Sequence, residues 1–318
     1  MNEKHWNRLS TSVIAMLILV CGCFTDLDEN QESGGREITD DLGRTIFVPD
    51  NPQRIVSLAP SITEILFILG LESQIVGVDN NSDYPDAVKD IEKVGDWIPD
   101  EEKIVSLKPD LVLVSDLTSL QIVSSLEEKG LNVVCFDPQT VYGIIENIRV
   151  IGFIMGKVDT ADSIAEELEL RMEAITSVTE SSSYKPTVYL EYYPYWTFGP
   201  GSFGNDLIIM AGGRNIAEDT ATEYPNISTE YLVGKNPEII IFTIGQYTTT
   251  TVNDIRERPG FDTINAVIHN RIYTIDDDIL SRPGPRIVDA LEQLASIIHP
   301  ELFPQPENMN ENMKLWCI

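Results

Sequence analysis

Basic residues are scarce in this chain of 318 residues: 22 Lys and Arg face 51 Asp and Glu, leaving a formal net charge of −29. That balance excludes a nucleic-acid partner, whose phosphates need a basic footprint. Histidine is scarcer still, with only His5, His269 and His299, widely spaced, so no zinc-type cluster and no metal site is expected. Of the 4 Cys, Cys21 and Cys23 close an apolar run near the N-terminus, Cys135 sits in an apolar segment and Cys317 is next to last. Spacing does not pair Cys135 with Cys317. A buried small side chain and a tail thiol are the simpler reading, with a bridge left open. Catalytic signatures are lacking too: no G-x-S-x-G elbow, no P-loop, no G-x-G-x-x-G after a strand and no His beside a candidate nucleophile is read here. The Gly199-Pro200-Gly201-Ser202 loop has the look of a phosphate cradle, but the helix after it lacks the Lys. No catalytic residue and no cofactor are expected.

What is present begins with a leader. Lys4 and Arg8 precede an apolar run over residues 13–20, which ends in Val20-Cys21-Gly22-Cys23. A basic region, a short apolar region and a small-residue site make a secretory signal over residues 1–23. The run is too short for a comfortable membrane span. Its Gly-Cys end resembles a lipobox, which makes Cys23 the lipid-bearing first residue of the mature chain. An uncleaved anchor, or cleavage nearby without lipid, stays open. Residues 24–36 are polar and acidic and read as a tether. The expected location is the outer face of the cell membrane, lipid-anchored, or the periplasm.

Hydrophobic residues make up 42% of the chain, enough for sizeable cores, and the length suits two domains. Residues 54–70, RIVSLAPSITEILFILG, read as a buried strand, a tight loop at Ala59-Pro60 and a helix. Ser61 with Glu64 three residues on has the pattern of a capping box. Strands alternate with helices through residue 139, which implies a parallel sheet with helices on its faces. Residues 37–139 are assigned to an N-terminal lobe, 140–183 to a helical connector broken near residues 156–159, 184–304 to a C-terminal lobe and 305–318 to a tail.

The two halves echo each other. Glu102-Lys-Ile-Val-Ser-Leu-Lys-Pro109-Asp-Leu-Val-Leu-Val114 parallels Glu230-Tyr-Leu-Val-Gly-Lys-Asn-Pro237-Glu-Ile-Ile-Ile-Phe242. In each, a short helix must end before Pro, and the apolar run after it enters a sheet as a buried parallel strand. Two similar lobes place a ligand cleft at their interface. The loop at Ala59-Pro60-Ser61 is expected to face Gly201-Ser202 across it. Glu102 and Glu230, one per lobe, suit a two-point dock on a twofold partner that offers Arg. Each also suits a plain first-turn role beside the helix dipole.

Four pieces carry a family resemblance: RIVSLAPSITEILFILG, SDYP at residues 82–85, LKPDLV at 107–112 and SRPGPR at 281–286. The chain resembles the substrate-binding proteins of ABC importers for cobalamin, iron-siderophore complexes and haem, nearest the vitamin B12-binding members, over residues 54–298. The resemblance implies an α/β fold of two Rossmann-like lobes with parallel sheets, joined by a long α-helical connector (a class III periplasmic-binding-protein fold). It implies no enzyme activity, a corrinoid or other metal-chelate ligand, and an ABC permease dimer with its ATPase as partner. Ligand contacts fall on Trp97, Tyr224, Trp196, Asn81, Asp278 and Arg282, and permease contacts on Glu102 and Glu230. Two aromatics of the B12-binding pattern are replaced, by Asn81 and Ser115; Trp196, Phe198, Tyr193 and Tyr195 are candidates to compensate. The cysteine pair of some relatives falls on Ala211 and Ala295.

Cobalamin is the first expectation. For haem, Tyr224 or Tyr193 could ligate iron. An anionic siderophore would want several cleft arginines, and only Arg282 and Arg214 are candidates. An extracellular enzyme on a doubly wound α/β fold and a surface adhesin are the readings of other classes.

Overall fold

The computed structural model describes residues 34–246 and 248–303. The leader with Cys23, most of the tether, Cys317 and the tail lie outside the described residues. The first elements are an antiparallel hairpin, β1 (Gly35–Thr39) and β2 (Thr45–Pro49). Its turn is fastened to the body by the buried Asp40, whose carboxylate accepts from the backbone N–H of Cys135 at 3.2 Å.

The N-terminal lobe then runs β3 (Ile55–Ser57), α1 (Pro60–Ile68), β4 (Ile75–Val78), α2 (Glu101–Ser106), β5 (Leu111–Ser115), α3 (Leu120–Glu128) and β6 (Val133–Phe136). Its sheet is parallel with order β4-β3-β5-β6. Every residue of β3, β5 and β6 is buried, as expected of strands covered on both faces. Cys135 is one of them, and burial pushes its thiol up to about 12.

The capping-box expectation at α1 does not hold. Pro60 supplies the first helical turn, Ala59 is the N-cap and no side chain caps. Pro has no N–H to satisfy and its fixed φ suits that position. Ser61, the second residue of the helix, and Glu64, its fifth, are instead buried.

The connector is a pair of packed helices, α4 (Val141–Ile154) and α5 (Val158–Glu180). Gly156 breaks them at φ +65, and Lys157 N–H reaches back to Gly152 O at 2.7 Å, closing a Schellman-type end. At 1.5 Å per residue the 23 residues of α5 span about 34 Å. Its buried stripe is Ala161, Ala165, Leu168, Met172, Ile175 and Thr179. The small residues let α4 approach closely: a Cβ on Gly152 would lie 2.2 Å from that of Ala161.

The C-terminal lobe comprises β7 (Thr187–Tyr193), β8 (Trp196–Thr197), α6 (Phe203–Met210), β9 (Arg214–Asn215), α7 (Thr229–Lys235), β10 (Ile239–Ile244), α8 (Val252–Arg256), α9 (Asn265–Ile268), β11 (Ile272–Asp276), α10 (Asp277–Ser281) and α11 (Ile287–Ile298). The parallel strands run β9-β7-β10-β11, and β8 adds antiparallel pairing to β7. In chain order this is second-first-third-fourth, the order of the N-terminal sheet, so the internal repeat is real in topology. The Pro corners match as well: Lys108 and Asn236, each just before Pro, both sit at φ 48. Helix α11 seals the lobe against α5 and α6 with seven buried apolar side chains, among them Ile287, Leu291 and Leu294. Each large one is worth about 1.5–3 kcal/mol on burial.

Candidate functional site

The strand ends of the two sheets meet, which in open α/β sheets is where ligands bind. On the N-terminal side, a buried hydroxyl chain holds the loop after β4. Thr63 Oγ1 lies 2.8 Å from Ser57 Oγ and 2.9 Å from Ser82 Oγ, and Ser82 Oγ donates to Asp79. Asp96 then joins two sequence-predicted residues: one carboxylate oxygen accepts from Asn81 Nδ2 at 2.7 Å and from Trp97 N–H at 2.9 Å. Trp97 stands at the tip of this turn, 63% exposed, beside an exposed Ile98. Exposing an indole and an isoleucine side by side is unusual unless something covers them.

On the C-terminal side, Trp196 is 38% and Tyr193 53% exposed. Their turn is held from behind by a buried carboxylate. Glu191, itself 2% exposed, pairs with both guanidinium nitrogens of Arg258 at 2.5 and 2.7 Å and accepts from Tyr189 Oη at 2.5 Å and Tyr195 N–H at 3.0 Å. Arg258 also stacks over the Tyr195 ring at 4.6 Å, and Tyr195 adopts φ 66. Sequence reasoning missed this network. It also removes two candidates: Tyr195 is committed to Arg258, and Phe198 is buried in the core against Tyr192 and Phe203. Tyr224 is partly buried, edge-on to Tyr192 at 6.2 Å and to Phe198 at 6.1 Å.

The lobes are tied by arginines. Glu64 of α1 is 2% exposed and receives Arg286 bidentately, Nε to Oε2 at 2.9 Å and Nη2 to Oε1 at 2.6 Å. Arg286 stacks on Tyr84 at 4.3 Å. Arg282 reaches Asp278 at 2.7 Å, Asp83 at 2.8 Å and Glu64 at 3.3 Å, and donates to Asn81 O at 3.4 Å. Asp278 and Arg282 are thus brought together as expected, with Asn81 beside them. Burial raises the Asp278 carboxyl, opposed by Arg282. The neighbour set against Ser61 is Gly284, whose added Cβ would lie 3.3 Å from it, rather than the Gly201-Ser202 loop. The gap lined by Ser61, Ile62, Phe136 and Pro283 holds only about 10 Å³, too little for a ligand.

The remaining cleft wall is acidic. Asp116 follows β5, Asp137 follows β6, and Glu223 comes from the other lobe. Partial desolvation lifts Asp116 to about 6, with Asp137 and then Glu223 adding repulsion, although the residue remains exposed at the surface. Burial raises the Tyr224 hydroxyl, helped by Asp116 and Glu223.

The glycine loop is no phosphate cradle. Residues 199–204 in fact carry G-x-G-x-x-G spacing, a match the motif reading passed over. Yet a Cβ at Gly199 would meet Thr222 O at 2.2 Å, one at Gly204 would meet Phe198 at 2.2 Å, and the Glu223 side chain lies 3.2 Å from that of Gly201. The glycines admit close packing, and a carboxylate covers the loop.

Arg214 is corrected too. It pairs with Thr187 at the opposite end of β7 from Tyr193, and lines a separate cavity of about 440 Å³ with Lys185 and Glu218.

Glu102 and Glu230 occupy matching places. Each is the second residue of a short helix, α2 capped by Asp100 and α7 by Ser228, and each is exposed without an ion pair among the described residues. Backbone and Ser228 hydrogen bonds lower the Glu230 carboxyl. No group of three or more His, Cys, Asp or Glu able to hold a metal occurs among the described residues.

Known proteins are similar to this chain in sequence and fold. The family model described as periplasmic binding protein matches residues 55–279. An uncharacterized ABC transporter substrate-binding lipoprotein of Bacillus subtilis is 31% identical over 310 residues, covering 92% of this chain and 97% of its own length. Among solved structures, a possible iron-binding (periplasmic solute-binding) protein from Staphylococcus epidermidis is 31% identical with a TM-score of 0.69, covering 79% of this chain and 100% of that one. The periplasmic vitamin B12-binding protein of Vibrio cholerae is 25% identical with a TM-score of 0.71, covering 81% and 100%.

Proposed function

The chain belongs to the periplasmic binding protein family; it is a substrate-binding protein of the ABC transporter type that serves B12, iron-siderophore or haem ligands and not an enzyme, and we propose that its own ligand is a corrinoid. The observation that carries this reading is the pairing of exposed aromatics with cleft arginines that are already neutralised by carboxylates. Trp97 and Trp196 offer flat apolar faces from opposite lobes, which suit a macrocycle. Arg282 and Arg286 are both committed to carboxylates. Such a cleft favours a large neutral ligand with amide groups over a polyanion. In this reading Asn81, Tyr224, Asp278 and Arg282 add contacts around the rim, and the likeness to a vitamin B12-binding protein supports it. Haem is the second reading, favoured by one observation: Tyr193 is exposed beside Trp196 and could ligate iron. Tyr224 suits that role less, because burial, and after it the acidic surroundings, disfavour a phenolate.

Glu102 and Glu230 then dock the permease dimer, and Cys23 carries the lipid that keeps the protein at the outer face of the membrane. Titration with cyanocobalamin should quench tryptophan fluorescence with Kd of about 1 µM or tighter, and Trp97→Ala should remove most of the quench. Silence with cyanocobalamin and a response to ferric siderophores or haem refutes the corrinoid assignment. Glu102→Arg with Glu230→Arg should abolish uptake and leave affinity intact; an equal fall in affinity refutes the docking role.

A further inference from the structure

We infer that Asp83 is the residue that sets the charge class of the ligand, by carrying the surroundings of the cleft arginine past neutrality to a net negative charge and so excluding anionic chelates. The inference rests on the reading of the cleft as a solute site. Arg282 is the guanidinium best placed to greet a ligand, since it comes from the C-terminal lobe and reaches the loop after β4 on the other lobe. Its own lobe already supplies a counter-charge, Asp278 at 2.7 Å, and the buried Glu64 contributes at 3.3 Å. Asp83 is therefore a carboxylate beyond what neutrality requires. Around this spot Glu64, Asp83 and Asp278 face Arg282 and Arg286, three negative charges against two positive.

Asp83 is also the optional member. Glu64 is sealed in and must be paired, because a buried lone carboxylate is costly. Asp83 has a side chain 47% exposed and has water to turn to if Arg282 leaves it. Its bond takes one N–H of the Arg282 Nη1, Glu64 faces the other, and Asp278 and Asn81 O take Nη2. A fork that binds a carboxylate or phosphate needs N–H groups free; Asp83 occupies one of them and adds the surplus negative charge. A neutral ligand needs only a single hydrogen bond and loses little.

The test measures a ratio of affinities, so that a general loss of structure cancels. Haem, with its two propionates, and cyanocobalamin, neutral overall, are titrated against wild type, Asp83→Asn and Asp83→Glu. The expected result is a rise of about tenfold or more in the haem-to-cyanocobalamin affinity ratio for Asp83→Asn, shrinking at high salt, with Asp83→Glu holding the wild-type ratio. An unchanged ratio in Asp83→Asn overturns the inference, as does wild type binding haem as tightly as cyanocobalamin. Wild-type silence toward cyanocobalamin sinks the corrinoid assignment alone. The inference is then read from haem: binding gained only in Asp83→Asn upholds it, and haem silent in every form overturns it.

Discussion

Replacing Glu64 tests the tie between the lobes most directly. Glu64→Gln keeps the shape and removes the charge; among the described residues this leaves Arg286 with no carboxylate within ion-pair distance and Arg282 with Asp83 and Asp278. Removing one partner of a buried pair costs about 3–5 kcal/mol, because the other charge stays uncompensated. Two features reduce that here: the Arg286 side chain is 22% exposed, and it keeps its stack on Tyr84. We expect a loss of about 2–4 kcal/mol. A double replacement, Glu64→Leu with Arg286→Met, removes both charges together and should lie within about 1 kcal/mol of wild type, since apolar isosteres of buried pairs are often neutral or better. Urea denaturation at pH 7 measures both, read as a shift in midpoint at constant slope. A loss below about 1 kcal/mol for Glu64→Gln, or a double variant less stable than the single one, would show that the pair is not the buried tie described.

Three further outcomes follow from other sites. Asp116 has a native carboxyl near 6, above the usual value of 3.8; the native state therefore holds its proton more tightly than the unfolded chain, and stability should rise as pH falls through about 6 toward 4. Its side chain is open to water, so screening limits the gain to about 1 kcal/mol, and the difference between wild type and Asp116→Asn, measured from pH 5 to 8, should carry that slope; a flat difference contradicts it. Arg258→Met leaves Glu191 buried without its cation and should cost about 3 kcal/mol while shifting the Trp196 emission, whereas an unchanged spectrum would mean that the network does not hold the aromatic turn. Gly152→Ala drives a methyl into Ala161 at the crossing of α4 and α5 and should lower stability by about 1–3 kcal/mol, with a neutral melt counting against that close approach.

The elements that were plain in the sequence are those written in local pattern. Residues 54–70 announced their strand and helix by apolar spacing, and the Glu-to-Pro echo located α2 with β5 and α7 with β10. The echo even marked the corner, although nothing local said that Lys108 and Asn236 would both turn left-handed. What local pattern could not show is partnership at a distance. Ser61 and Glu64 looked like a cap because the partners of Glu64 are Arg282 and Arg286, 218 and 222 residues further on. Glu191 read as one more strand residue because Arg258 is 67 residues away. Phe198 and Tyr195 were candidates for a ligand wall on residue type alone; burial of Phe198 and the Arg258 stack on Tyr195 separated them from Trp196 and Tyr193. Strands of two residues, β8 and β9, carry too little periodicity to be read at all.

The division of labour around Glu191 and Glu64 bears on how such a protein can change over time. The charged groups that brace the rim lie behind it or beneath it, on positions distinct from the exposed Trp97, Trp196 and Tyr193. Substitutions on the rim therefore leave the bracing contacts whole, and most of the stability with them. A scaffold built this way can exchange its cargo by small surface steps without crossing an unfolded intermediate sequence. The similar structures described as a possible iron-binding protein and as a vitamin B12-binding protein carry different ligand names on one fold.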